Sequence, residues 1–263
     1  MSDPIAIVMA AGKGTRMKSA LPKVLVEVCG RPMIEYVLDA LDRGGVHRKI
    51  VVVGYQAQAV RDHLTRNGFA DGTALSFVEQ REQLGTGHAV MMCRDELASH
   101  EGAVLVVAGD SPLMQSESIR ALLDEFERSQ PACLLGTGYR DDPTGFGRIQ
   151  RDDRGEFLEI VEERDASPRQ RQIREVNLSC YVFNCADLLP ALQQLKNKNS
   201  QGEYYLTDVP GILQSQGKRV RALDVLKPCE ALSINTLDDL AVVEEELKAT
   251  HGIVSRERRP RDE

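Results

Sequence analysis

The chain alternates short apolar runs with segments whose apolar positions recur every three or four residues. Ile5-Ala6-Ile7-Val8-Met9 is too short for a helix and suits a buried strand. Residues 34–41 then read as an amphipathic helix, with Pro32 near its first turn and Gly44-Gly45 ending it. The alternation continues with strand 50–53, helix 56–65, strand 74–79, helix 87–92, strand 104–108, helix 116–128 and strand 133–137. Strand–helix units of this length predict an α/β fold, a mostly parallel sheet covered by helices on both faces. Ligands of such sheets bind at the carboxyl ends of the strands. The loop after Met9 and the turn Gly109-Asp110 both fall at such ends.

The pattern changes after residue 140. Stretches 147–151, 157–161 and 176–183 read as strands without long helices between them, which predicts an antiparallel patch forming a lid or wall against the first half. Residues 165–174 are polar and are expected as an exposed loop or short helix. Helices over 187–195 and 207–216 and a strand over 219–225 follow. The last helix, over 238–250, places Leu237, Leu240, Val243 and Leu247 on one face and Asp238-Asp239 at its positive end. No Pro/Gly/Ser-rich linker separates the halves, so one two-lobed domain is expected over 1–236, then the helix to 250 and a disordered tail over 251–263.

Composition narrows the classes. A chain of 263 residues buries a full core, and no stretch approaches the ~20 apolar residues of a membrane span. No basic-then-apolar leader opens it, and its six cysteines form no Cys-x-x-Cys pair, which fits a cytoplasmic protein with buried free thiols. The net charge of −7, without a basic stripe, argues against nucleic-acid binding, and no membrane partner is expected; an oligomer stays open.

The candidate chemistry begins in Ala10-Ala11-Gly12-Lys13-Gly14-Thr15-Arg16-Met17-Lys18, followed by Leu21-Pro22-Lys23. Small residues and glycines leave backbone N–H groups bare to converge on phosphate oxygens, and Lys13, Arg16, Lys18 and Lys23 add positive charge. A strand-to-helix turn with solvated charges fits the same stretch. Gly14-Thr15-Arg16 lacks the Gly-Lys-Ser/Thr of a Walker A loop, and Met17 replaces the third glycine of the dinucleotide fingerprint, so both of those classes are excluded. Asp110, at the end of an apolar strand, suits either a magnesium ligand or a turn cap. Asn235 reads as a neutral oxygen ligand or as the N-cap of the last helix. Gln80 carries the donor and acceptor needed to read a base edge, Gly85-Thr86 open a helix that favours anions, and His88 suits packing or hydrogen bonding better than general-base work.

Taken together, these motifs resemble those of sugar-nucleotide pyrophosphorylases. Met9-Ala-Ala-Gly-Lys-Gly-Thr-Arg-Met with Leu21-Pro-Lys carries the general likeness. Gln83-Leu-Gly-Thr-Gly-His, Gly109-Asp-Ser-Pro-Leu, Asp142-Pro-Thr-Gly-Phe-Gly-Arg-Ile, Gln170-Arg-Gln-Ile-Arg-Glu-Val-Asn and Gly202-Glu-Tyr-Tyr-Leu-Thr-Asp narrow it to the uridyltransferase domains of bacterial N-acetylglucosamine-1-phosphate uridyltransferases, over roughly residues 4–247. The resemblance implies a Rossmann-like nucleotidyltransferase fold with a smaller antiparallel sugar-binding lobe. It also implies magnesium-dependent formation of UDP-N-acetylglucosamine and pyrophosphate from UTP and N-acetylglucosamine 1-phosphate. By motif, Met9, Ala10, Ala11, Gly12, Gly14, Gln80, Gly85, Thr86 and Gly109 are expected at the nucleotide and Arg16 and Lys23 at the triphosphate. Gly147, Glu162 and Asn177 are expected at the sugar, and Asp110 and Asn235 at magnesium.

Two features depart from the family. Ala108 stands where its members usually carry a tyrosine before Gly-Asp, and no hexapeptide repeats follow Thr250, so acetyl transfer and trimerisation through such repeats are not expected. The alternatives are a pyrophosphorylase for another sugar 1-phosphate or nucleotide, such as dTTP with glucose 1-phosphate, and a nucleotide-sugar sensor that binds without turnover.

Overall fold

The structure, a computed structural model, describes residues 2–14, 17, 19–70, 74–232, 234 and 236–251. In chain order the elements are β1 (Ile5–Ala10), β2 (Glu27–Val28), β3 (Arg31–Pro32), α1 (Met33–Arg43), β4 (Arg48–Val53), α2 (Ala57–Arg66), β5 (Leu75–Glu79), α3 (Thr86–Met91), α4 (Arg94–Leu97) and β6 (Ala103–Ala108). There follow α5 (Ser116–Ser129), β7 (Cys133–Tyr139), β8 (Gly147–Arg151), β9 (Phe157–Val161), β10 (Glu175–Asn184), α6 (Cys185–Leu192), α7 (Val209–Ser215), β11 (Val220–Asp224) and α8 (Leu237–His251).

The main sheet runs β11-β7-β10-β6-β1-β4-β5. β1 lies parallel to β4 and β6, β4 to β5, and β7 to β11. Side chains alternate across it, as strand geometry requires. Ile5 and Ile7 enter one apolar layer with Val90, Leu188, Val209 and Leu213, from α3, α6 and α7. Ala6 and Val8 enter the other with Ile34, Leu38, Ile119 and Phe126, from α1 and α5. Both faces are therefore covered, which is why the strands read as continuous apolar runs. No helix of the described residues is long and apolar enough to cross a membrane.

One placement corrects the expectation. Residues 176–183 lie only at their start, Val176 and Asn177, in the expected antiparallel patch: for the rest β10 is an interior strand of the main sheet, antiparallel to both β6 and β7. A strand buried on both faces carries the same apolar signature whichever way it runs, so the pattern does not reveal its neighbours. The antiparallel extension is the β8–β9 hairpin, joined to the start of β10 through Val176↔Arg148 and Asn177↔Gly147. Between Asn177 and Cys180 the register of β10 against β7 shifts, with Ser179 at φ 55°. On one side of this bulge β10 pairs with β6; on the other it pairs with β8. The sheet thus forks at the carboxyl end of β6, and the fork opens beside Asp110.

Other boundaries follow from caps. α6 starts two residues before the expected 187 because the Asn184 side chain accepts the Ala186 N–H at 3.0 Å. At α8 the Thr236 N–H donates to Asp239 Oδ2 at 2.8 Å, and the Asp239 N–H donates back to Thr236 Oγ1 at 3.2 Å. Thr236 therefore supplies the cap that local reading offered to Asn235. Val243 and Leu247 of α8 are buried in a cluster with Met17, Val28, Met33, Leu113 and Ile234. That cluster ties the last helix to the opening loop and to the segment after Asp110. All six cysteines are free, four of them buried, and burial pushes the Cys93 thiol up to about 12.

The same segment is pinned by Glu230. This buried carboxylate accepts from the Gln115 N–H at 2.9 Å, the Ser118 hydroxyl at 2.6 Å and the Lys227 N–H at 2.8 Å. Glu230→Ala leaves those donors without their partner, at roughly 1–3 kcal/mol for each one that stays dry. A thermal melt is expected to show Tm lowered by at least about 4 °C, since 1 kcal/mol shifts a chain of this size by about 2–4 °C. An unchanged Tm would mean that water replaces the carboxylate without loss.

Candidate active site

Two cavities meet at the carboxyl ends of β1 and β6. The first, of about 360 Å³, is lined by Met9, Ala10, Ala11 and Gly12 from the opening loop, by Gln80, Gly85 and Thr86, and by Lys23, Ala108 and Asp110. The second, of about 230 Å³, is lined by Gly147, Glu162, Asn177, Ser179 and Thr207. Met9, Lys23, Thr86, Ala108, Asp110 and Ser179 belong to both walls, so the cavities are halves of one cleft. Of the residues expected at the nucleotide, Ala10, Ala11, Gly12, Gln80 and Gly85 line only the first half, Met9 and Thr86 line both, and Gly14 and Gly109 line neither; Gly147, Glu162 and Asn177, expected at the sugar, line only the second.

At the seam, Lys23 Nζ donates to Asp110 Oδ2 at 2.5 Å. The pair is partly buried, with side-chain exposures of 14% and 28%. Gly14 explains how Lys23 gets there. It sits at φ 62°, and a Cβ on it would lie 2.7 Å from Lys23 Cβ, so the lysine stem packs directly against the glycine loop. Gly109 brings β6 close to β1, its N–H donating to Met9 O at 2.9 Å. Arg16 and Asn235 lie outside the described residues. Their neighbours Met17 and Ile234 are buried in one cluster with Leu113, three residues beyond Asp110. Lys13 lines neither cavity; its ammonium stands 5.4 Å over the Tyr55 ring.

In the half expected to hold the nucleotide, Gly85 has φ 104° and its missing Cβ would lie 2.6 Å from Tyr204 O, so only glycine fits between the loop and residues 203–204. That turn starts α3, and Thr86 Oγ1 accepts the Leu206 N–H at 3.1 Å. Gln80 is 3% exposed and its Nε2 lies 3.0 Å from both Gly85 O and His88 Nδ1. His88 lines neither half of the cleft, consistent with hydrogen bonding rather than acid–base work.

In the half expected to hold the sugar, the Thr207 hydroxyl donates to Glu162 Oε1 at 2.9 Å. Burial raises the Glu162 carboxyl above the ordinary glutamate range, opposed by that bond. Asn177 Nδ2 donates to the Tyr181 hydroxyl at 2.7 Å, and the Ser179 N–H donates to Asn177 Oδ1 at 3.2 Å. Thr207 and Ser179 are wall residues that the reading of single positions does not single out. Thr207 sits in the Gly202–Asp208 motif, which is a usable signal. Ser179 depends on the β10 bulge, which leaves none.

The cleft contains one carboxylate at its seam, and among the described residues no group of three or more His, Cys, Asp or Glu is placed to hold a metal. Such a donor set fits an ion that takes most of its oxygens from phosphate and water, as magnesium does. It does not fit zinc or an all-protein calcium cage.

Residues 6–208 match the family of MobA-like NTP transferase domains. The bifunctional protein GlmU of Exiguobacterium sp. is 46% identical over 233 residues, which is 89% of this chain and 50% of that protein. GlmU of Heliobacterium modesticaldum is 46% identical over 244 residues, 93% of this chain and 52% of that protein. The chain thus spans about half the length of these relatives. A crystal structure of UDP-glucose pyrophosphorylase complexed with UDP-glucose shares the fold, with a TM-score of 0.75 over 94% of this chain and 99% of that one, at 16% identity.

Proposed function

The chain belongs to the family of MobA-like NTP transferase domains, and we propose that it is a sugar-1-phosphate nucleotidyltransferase joining UTP and N-acetylglucosamine 1-phosphate to give UDP-N-acetylglucosamine and pyrophosphate. The observation that carries this reading is the divided cleft. Backbone-rich and amide groups line one half, hydroxyl-binding groups line the other, and a lysine–carboxylate pair stands where the halves meet. The motifs resembling those of N-acetylglucosamine-1-phosphate uridyltransferases favour uridine and N-acetylglucosamine among the possible substrates, and the 46% identity to the GlmU relatives supports that reading.

In this reading, Met9 to Gly12 and Gln80 receive the uridine, with Gly85 and Thr86 beside the base and Gly14 and Gly109 keeping the backbones close. Glu162, with its second oxygen free of Thr207, accepts from a sugar hydroxyl, while Asn177 and Gly147 form the opposite wall. One oxygen of the sugar phosphate attacks the α-phosphorus of UTP. The bond to the β-phosphate bridge breaks, and pyrophosphate leaves with that electron pair. The nucleophile is already anionic near neutral pH, so no general base is needed, and the described residues place no triad at the seam. The obstacle is repulsion between two polyanions, which positioning and positive charge overcome. Lys23, with Arg16 expected beside it, supplies that charge and aligns the phosphates. Asp110 and Asn235 would hold magnesium against the same phosphates, where its charge offsets theirs.

A panel of nucleotides and sugar phosphates, read by pyrophosphate release, tests the assignment. UTP with N-acetylglucosamine 1-phosphate is expected to give the highest kcat/KM. Preference for dTTP or for glucose 1-phosphate would replace the substrate assignment, and nucleotide-sugar binding without release would replace the enzyme by a sensor.

Glu162→Ala separates the two halves kinetically. The KM for the sugar phosphate is expected to rise about tenfold or more, as for loss of one to two hydrogen bonds to a charged group, with the UTP KM within twofold of the parent. Equal effects on both KM values would place Glu162 in the scaffold instead.

A further inference from the structure

His88 and Gln80 form a pair that the reaction scheme does not use. The Gln80 amide nitrogen lies 3.0 Å from Gly85 O and 3.0 Å from His88 Nδ1. A carbonyl oxygen only accepts, so the group of Gln80 facing Gly85 must be the NH₂, which fixes the amide orientation without ambiguity. An amide nitrogen only donates. His88 Nδ1 must then be the bare, accepting nitrogen, and the ring carries its proton on Nε2. Both amide protons are therefore consumed inside the protein. Gln80 is 97% buried by its 3% exposure, it lines the nucleotide half of the cleft, and its Oε1 has no partner among the described residues. Gln80 thus presents an acceptor, and no donor, to whatever base enters.

We propose that His88 is a positioning residue for base selection: by accepting from Gln80 it locks the amide with its oxygen toward the cleft, so that the site takes a pyrimidine whose N3 carries a proton, uracil, and rejects cytosine, whose N3 is itself an acceptor. The proposal rests on the uridyltransferase reading. It adds what holds the selecting oxygen in place. Without His88 one amide proton has no partner and only the Gly85 carbonyl still holds the NH₂ inward, so the Gln80 side chain turns its NH₂ into the cleft more readily, where it serves cytosine as well. His88 touches no reacting atom. It packs on the far side of Gln80, its ring 6.3 Å from that of Tyr204, and faces a separate outer cavity lined by Leu84, Met91 and Leu192. Discrimination by a buried hydrogen-bonding group is strong because the wrong partner leaves that group unpaired.

Two variants test this. His88→Leu keeps the volume and removes the acceptor. His88→Asn places a side-chain oxygen near the position of Nδ1. The parent's UTP and CTP kcat/KM are measured first with N-acetylglucosamine 1-phosphate; a parent that turns over neither, or that binds no uridine nucleotide by calorimetry, refutes the uridyltransferase reading itself. Given an active parent, His88→Leu is expected to raise the UTP KM about tenfold, the net worth of one hydrogen bond, to lower the UTP-over-CTP preference at least tenfold, and to leave the sugar-phosphate KM within twofold. His88→Asn is expected to restore most of the preference. An unchanged UTP-over-CTP ratio in His88→Leu overturns the proposal, as does a loss of kcat with both bases alike or a preference that Asn fails to restore. Should His88→Leu not fold, as judged by its melt, the Asn variant alone decides, since a packing role predicts no return of base preference with a smaller polar side chain.

Discussion

Replacing Asp110 by alanine is expected to lower kcat by about 10³ or more, beyond the 10²–10³ typical for one preorganised polar contact, because two functions go together. Among the described residues the carboxylate is the one acidic group common to both walls of the cleft, and it is a partner of Lys23 at 2.5 Å. Its removal deletes the oxygen that would meet magnesium and takes away one of the contacts that orient the lysine. The fold should survive. The pair is partly exposed, and such ion pairs contribute about 0–1 kcal/mol, so Tm is expected to move by only a few degrees. Asp110→Asn keeps size and one oxygen but not the charge, and is expected to recover little. Kinetics beside a melt decide the matter: near-normal turnover in Asp110→Ala would remove Asp110 from the reaction.

Lys23→Met is expected to reduce kcat/KM by about 10²–10³. Methionine retains the apolar stem that packs under Gly14 and deletes only the ammonium, so loss of loop packing is not a competing explanation. The loss should fall mainly on kcat, because repulsion between the phosphates is greatest as the new bond forms. Lys23→Arg is expected to rescue poorly, since its planar fork reaches differently from a compact ammonium held 2.5 Å from a carboxylate. A variant whose KM for UTP rises with kcat unchanged would assign Lys23 to substrate binding alone.

Much of this site was legible in the chain. β1 and β6 are uniformly apolar and end in small or acidic residues, so the topology of a parallel sheet brings Gly12 and Asp110 together without any distance being known. The residues proposed for the sugar side were legible only by resemblance. Locally, Glu162 and Asn177 are polar positions at strand ends, and nothing in their spacing says that β10 turns back through the middle of the sheet. That reversal places Asn177 at the carboxyl end of β6 and creates the fork for the second cavity. It depends on a bulge at Ser179, with a positive φ on a residue that gives no glycine signal. The cap at α8 is likewise hidden from local reading. Asn235 and Thr236 are both acceptable N-caps, and only the reciprocal bonds with Asp239 distinguish them. The Gln80–His88 pair spans a turn closed by a left-handed glycine, so its contact is invisible to helical or strand periodicity.

The central claim is that one cleft holds the two ends of a nucleotide sugar on opposite sides of the Lys23–Asp110 seam. A crystal structure with UDP-N-acetylglucosamine tests it most directly. The account predicts uracil against Gln80 and the Gly12 loop, the acetamido sugar against Glu162 and Asn177, and the diphosphate beside Lys23. A ligand lying wholly within one half, or with base and sugar exchanged, would contradict it.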